Sequence, residues 1–181
     1  NNETLKKKGQ WPWDRNALSV EIIKLYQKGA GLVVLPVLFA DKDRFGKDAV
    51  LARTLKRSPT IIGQIPTNDD VNTAVTRGVA KVGQPWQGWL YKYKGALGPI
   101  PELAKNANAV GMMIIAPEKD GVVRRMPLVV AVGDEVYPSI SLEVLRMVAG
   151  DISYQMKTGI AGVEAVRIPK YKIINTDAHG N

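Results

Sequence analysis

Residues 31–64 read GLVVLPVLFADKDRFGKDAVLARTLKRSPTIIGQ, and this stretch decides the fold. Positions 31–39 form a continuous apolar run, the pattern of a strand covered on both faces. Pro36 removes one ladder donor there, so the strand is expected to end, bulge or lie at an edge near that point. Residues 46–56 place Val50, Leu51 and Leu55 at helical spacing, and 60–64, following Pro59, supply a second short strand. Strand, helix, strand in this order predicts a right-handed parallel crossover.

On the N-terminal side, residues 15–28 carry Leu18, Ile22, Leu25 and Tyr26 on one helical face, with Asp14 as N-cap and Gly29 as the stop. The chain reaches that helix through Trp11-Pro12-Trp13, two indoles around a proline, a hydrophobic clamp at a helix entrance.

On the C-terminal side, residues 65–100 show neither helical nor strand period and read as an excursion from the scaffold. They hold Trp86, Trp89, Tyr91 and Tyr93, which fit either an aromatic wall for a ligand or partner, or ordinary packing. A short helix at 101–108 and a strand at 110–116 follow. Asp120-Gly121 then signals an antiparallel hairpin with 122–132, and Gly133-Asp134 turns the chain again. Ser139 caps a third helix over 139–148, whose apolar stripe is Ile140, Val144, Leu145 and Val148, and closing strands are expected at 163–168 and 171–174. The fold class is therefore α/β or α+β, a mixed sheet flanked by helices in a layered sandwich. The expected organisation is one domain over 1–181, cut at both ends, because a buried strand at 32–39 needs neighbours and the Glu3-Thr4-Leu5-Lys6 opening is turn-like.

Composition narrows the chemistry. Lys and Arg exceed Asp and Glu by 25 to 17, which favours anionic partners, yet the surplus is scattered, with runs at Lys6-Lys7-Lys8 and Arg124-Arg125. Without an aromatic-interleaved basic motif or zinc-finger spacing, no nucleic-acid partner is expected. The absence of cysteine excludes disulfides and thiolate catalysis. The longest apolar run, 32–40, is about half of what a membrane-spanning helix needs.

No catalytic set can be assembled. His179 is the sole histidine, so neither a Ser-His-carboxylate arrangement nor a histidine metal site is supported, and no phosphate-cradling glycine loop is present. Asp41, Asp43, Asp69 and Asp70 lack a recognisable cation-loop spacing and read as solvated surface. Accordingly no cofactor and no metal are expected. The candidate binding residues are Arg15, Arg124, Arg125, Tyr137 and Ser139. Arg15 could offer its fork of donors to an anionic ligand, or else anchor a helix N-terminus to a carboxylate. Arg124 and Arg125, if on a strand, point to opposite faces, so only one serves a given pocket. Asp120 supplies turn geometry. Tyr137 and Ser139 would line the same surface as the hairpin, or pack and cap.

Gly9-Gln10-Trp11-Pro12-Trp13-Asp14-Arg15, Gly29-Ala30, Val37-Leu38-Phe39, the run Asp120-Gly121-Val122-Val123-Arg124-Arg125-Met126-Pro127-Leu128, Tyr137-Pro138-Ser139 and Thr176-Asp177 together resemble the CHASE domain of type two. That family is the extracytoplasmic sensory domain of bacterial adenylate or guanylate cyclases, histidine kinases and serine/threonine kinases. The resemblance covers almost the whole chain in order. It implies a non-catalytic periplasmic sensor attached to transmembrane helices outside these residues, working as a homodimer and responding to an unidentified small-molecule or ionic signal. Where the family strand after Gly-Ala commonly carries an Asp, this chain has Pro36, so any role of that Asp does not carry over. Two rival readings remain: a stand-alone α/β enzyme or small-molecule binding protein with its pocket at strand ends near 40–44, and a surface module for lipid headgroups.

Overall fold

The computed structural model describes residues 11–115, 118 and 120–181, with Glu3, Lys6 and Gly9. Expectations that rest on Thr4, Leu5, Lys7, Lys8, Gln10, Ala116 and Lys119 lie outside the described residues. In chain order the elements are α1 (Arg15–Gln27), β1 (Val33–Leu38), α2 (Asp48–Arg57), β2 (Thr60–Thr67), β3 (Ala80–Gly83), β4 (Lys92–Tyr93), β5 (Gly95–Leu97) and α3 (Pro101–Asn106). There follow β6 (Ala109–Met112), β7 (Val129–Val132), β8 (Glu135–Pro138), α4 (Ile140–Val148), β9 (Gln155–Gly159), β10 (Gly162–Ile168) and β11 (Lys172–Asn175). Helices and mixed sheets make this an α/β fold, as the crossover pattern predicts.

Asp14 opens α1 by accepting the Ala17 amide at 2.7 Å, satisfying one of the donors that a helix start leaves bare. Past the other end Gly29 takes φ 93°, the left-handed conformation that costs glycine least. β1 and β2 run parallel with Val33 opposite Thr60, and their register shifts between Leu35 and Leu38, around Pro36. The strand is not covered on both faces. Val34 and Pro36, which share a face, are exposed, and among the described residues β2 is its single neighbour, the edge position that a strand lacking a ladder donor suits.

β2 is the hub of this first sheet. Its first half lies between β1 and the parallel β6, and its last three residues pair antiparallel with β5. Helices α1, α2 and α3 cover the sheet through Leu18, Ile22, Phe39, Leu51, Leu55, Ile62 and Leu103, which form one buried cluster. Burying a leucine such as Leu51 or Leu55 fully contributes roughly 1.5–3 kcal/mol.

The 65–100 stretch is not an excursion. It supplies β5 to the first sheet, β3 to a second sheet in the order β11-β10-β9-β3, and β4 to a third in the order β4-β7-β8. Its strands are only two to four residues long, too short to show a period, and Trp86 is buried in the cluster of Val129, Leu142, Tyr154, Met156 and Val166. Tyr93 packs on a further cluster around Met112, Val130 and Tyr137. The packing reading of the aromatics therefore holds for Trp86, Trp89 and Tyr93, while Tyr91 stays exposed against the His179 ring.

The expected hairpin across Asp120-Gly121 does not form. A tight turn is present, with the Gly121 amide donating to Glu118 O at 2.8 Å, but residues 122–128 are not strand, and β6 and β7 lie in different sheets. β6 is taken by β2, and β7 closes instead on β8 across the shorter Gly133-Asp134 turn.

Ser139 caps α4, accepting the Leu142 amide at 3.2 Å. The buried face of that helix is nevertheless rotated from the expected stripe: Leu142, Glu143 and Arg146 are inside, and Val148 is 70% exposed. Glu143 and Arg146 can be buried because they pair at 2.7 Å, while Arg146 also donates to the Tyr154 hydroxyl and to Asp151 O. Gly111 lets the start of α4 lie directly on β6, since a Cβ there would come within 2.4 Å of the Ile140 Cα.

Candidate functional site

At the carboxyl end of β1 the chain leaves the sheet at Ala40 and enters the acidic and basic loop 41–47. Ligands of open α/β sheets bind at such strand ends. Here the loop is wound around Asp48, the first residue of α2. Asp48 accepts the Asp43 amide on Oδ2 at 2.8 Å and Arg15 Nε on Oδ1 at 3.3 Å, and Asp43 in turn accepts the Lys47 amide at 2.9 Å. Arg15 also donates to Asp41 O at 3.0 Å and stacks its guanidinium 4.5 Å above the Phe39 ring. The N-termini of α1 and α2 are thus tied by one ion pair whose side chains are about nine-tenths buried.

Opposite the loop stands the tryptophan clamp. Trp11 and Trp13 meet edge to face at 5.7 Å, Trp13 Nε1 donates to Gly9 O, and the Trp11-Pro12 peptide bond is cis. Arg44 reaches back to Pro12 O at 3.4 Å. Between clamp and loop lies a cleft of about 320 Å³ walled by Trp11, Trp13, Arg15, Ala40, Lys42 and Arg44. Trp11 is half exposed, offering an indole face to whatever occupies the cleft. Because Asp48 balances Arg15, the field in the cleft comes chiefly from Lys42 and Arg44 set against Asp41 and Asp43. The arrangement can bind and orient a molecule. It places no nucleophile beside a base.

Arg15 thus stands in the anchoring role and also on the cleft wall. Arg124 and Arg125 are elsewhere and do not face opposite ways: both reach Glu118, Arg124 adds Asp120 at 2.8 Å and Arg125 adds Asp177 at 3.4 Å. Asp120 makes its turn by accepting the Val122 amide, and this bond, followed by Arg124, holds its carboxyl below the usual range. Tyr137 and Ser139 line no surface. Both are buried, Tyr137 accepting from Asn72 at its hydroxyl and Ser139 capping α4. The Arg15 contacts and the Arg124-Arg125 contacts share no residue.

Asp69 is occupied locally with Thr67, and among the described residues no group of three or more His, Asp or Glu could hold a metal ion. The buried Glu143-Arg146-Tyr154 network went unforeseen. Burial, and next the Glu143 carboxylate, push the Tyr154 phenol well above its ordinary range. An i, i+3 pair of opposite charges on the third helix was its one trace in the sequence.

The family model of the CHASE2 domain matches residues 1–180. The chain belongs to the CHASE2 domain family. No curated protein and no solved structure matches it. CHASE2 domains are extracellular sensory domains of signalling proteins and are not catalytic. No helix among the described residues is long and apolar enough to cross a membrane.

Proposed function

We propose that this CHASE2 domain acts as a single extracytoplasmic unit of a membrane-bound bacterial signalling protein, an adenylate or guanylate cyclase, and relays a small-molecule or ionic signal to the cytoplasmic output. The observation that carries this reading is the family match over residues 1–180. The signal binds in the cleft between Trp11 and the 40–44 loop, where a ligand bridging clamp and loop alters how α1 and α2 are held at Arg15. Arg124 and Arg125 act in output: both hold Glu118, and Arg125 links it to Asp177 near the chain's last residues. A signal shifts such an equilibrium only by preferring one arrangement, and a change from mostly off to mostly on takes roughly 5 kcal/mol of differential binding. The domain works as a homodimer, since paired outputs need paired inputs.

Reading the gene on both sides of these residues tests the proposal. Hydrophobic spans and a cyclase segment in the same reading frame are expected; stop codons close to both ends would leave the stand-alone binding protein as the better account. Turnover of any substrate by the isolated domain, abolished by a point change within it, would refute a sensory role outright.

A further inference from the structure

A second cavity, of about 190 Å³, lies between α3, the start of β6, α4 and residues 75–77. Its walls are mostly short aliphatic side chains: Ala104, Ala107, Ala109, Val110 and Val75. Two ionic groups border it. One is Glu143, 1% exposed, whose hydrogen bonds from Arg146 both arrive at Oε2. A carboxylate has about four lone-pair sites, and the two bonds from Arg146 with that of the Tyr154 hydroxyl occupy three, leaving one acceptor site. The other is Arg77, an exposed residue that donates to Asn108 O at 3.0 Å and pairs with no carboxylate among the described residues. Guanidinium presents five donors, and a single carbonyl occupies few of them.

A cavity bounded by one buried acceptor and one open guanidinium, with alanine walls between, matches a small molecule bearing the complementary pair. We propose that it binds a small aliphatic zwitterion, with the ammonium received by Glu143, the carboxylate by Arg77 and the carbon frame lying against Ala104, Ala107 and Ala109. A plain anion would find no use for Glu143, and a plain amine would leave Arg77 unmatched. Val75 and Ala104 also wall a neighbouring apolar cavity of about 410 Å³, which gives longer aliphatic frames room to extend. The 190 Å³ cavity shares no wall residue with the cleft beside Trp11, so either can fail without the other.

Calorimetric titration of the 181-residue chain decides the matter, with glycine, L-alanine, L-valine, β-alanine and 4-aminobutyrate as zwitterions, and ethylamine and propionate as single-ended controls. At least one zwitterion should saturate below about 1 mM, with both controls weaker by about tenfold or more. R77M, at an exposed position, should weaken that zwitterion by about tenfold while lowering the melting temperature of the ligand-free protein by no more than about 4 °C, the share of its bond to Asn108 O. A104L, which fills the cavity from α3, should abolish binding. No saturation by any zwitterion up to about 10 mM, equal binding of a control, or binding indifferent to R77M would each overturn the assignment. If A104L melts early, R77M and the controls carry the decision.

Discussion

Arg15 commits its guanidinium to Asp48 and to Asp41 O, and what it does for stability follows from that geometry. Removing it leaves Asp48, which is 7% exposed, without its cation. R15A is therefore expected to lower unfolding free energy by about 2 kcal/mol in a urea titration, and R15K to fall between R15A and the parent because an ammonium cannot reproduce the fork. A neutral R15A would show that the loop holds itself without the pair. Asp177 offers a pH handle. Burial raises its carboxyl, but the Asn181 side chain and amide, the His179 amide and Arg125 outweigh burial and hold it below the ordinary value. A carboxyl depressed in the native state lends stability that is complete above its unfolded value, near 4, and is lost as pH falls through the native one. Lowering pH from about 5 to 3 should thus loosen residues 177–181, seen as a lower protection factor of the Asn181 amide once each rate is divided by the intrinsic rate at that pH, and D177N should remove that dependence.

At the scale of elements, α4 depends on a glycine and on a buried pair. G111A would press a methyl onto the Ile140 backbone and is expected to cost about 1–3 kcal/mol, measured by urea denaturation. For the pair, E143Q alone should destabilise by about 3–5 kcal/mol, since it strands Arg146, whereas replacing both residues by leucine should cost far less. If the double replacement is as damaging as the single one, the network serves more than its own neutralisation. These two features also mark where sequence was legible and where it was not. Asp14, Gly29, Ser139 and the parallel β1-α2-β2 unit were readable because capping and periodicity are local. The face of α4 was misread because apolar count alone sets the stripe in a sequence, while Glu143 and Arg146 pass inside only as a couple with Tyr154. Asp120-Gly121 correctly announced a turn, but partner choice for β6 and β7 is a long-range contest that no dipeptide records. Of the candidate site, the strand end near 40–44 was legible only as the pocket of a stand-alone enzyme or binding protein, and an anchoring role for Arg15 was legible without its partner, since Asp48 lies 33 residues away.

At the scale of the molecule, the three sheets are joined by residues 65–100, which give each of them a strand. Cutting the chain at Gly88, an exposed position, would leave two of the three sheets dependent on strands from both pieces. Fragments 1–88 and 89–181, expressed apart, should each lack cooperative melting and should recover it when mixed. Independent folding of either fragment would show that the sheets are separable.

That threaded segment also governs how the protein can change over generations. Gly95 sits where any side chain would strike the carbonyls of Val71 and Asp69, so the path admits little slack. An added or deleted residue near β5 would slip the pleat against β2 and drag β4 out of step with β7 at the same stroke. Descendants of this gene should therefore keep the spacing from 91 to 97 and the path of 69–71 that lies against Gly95.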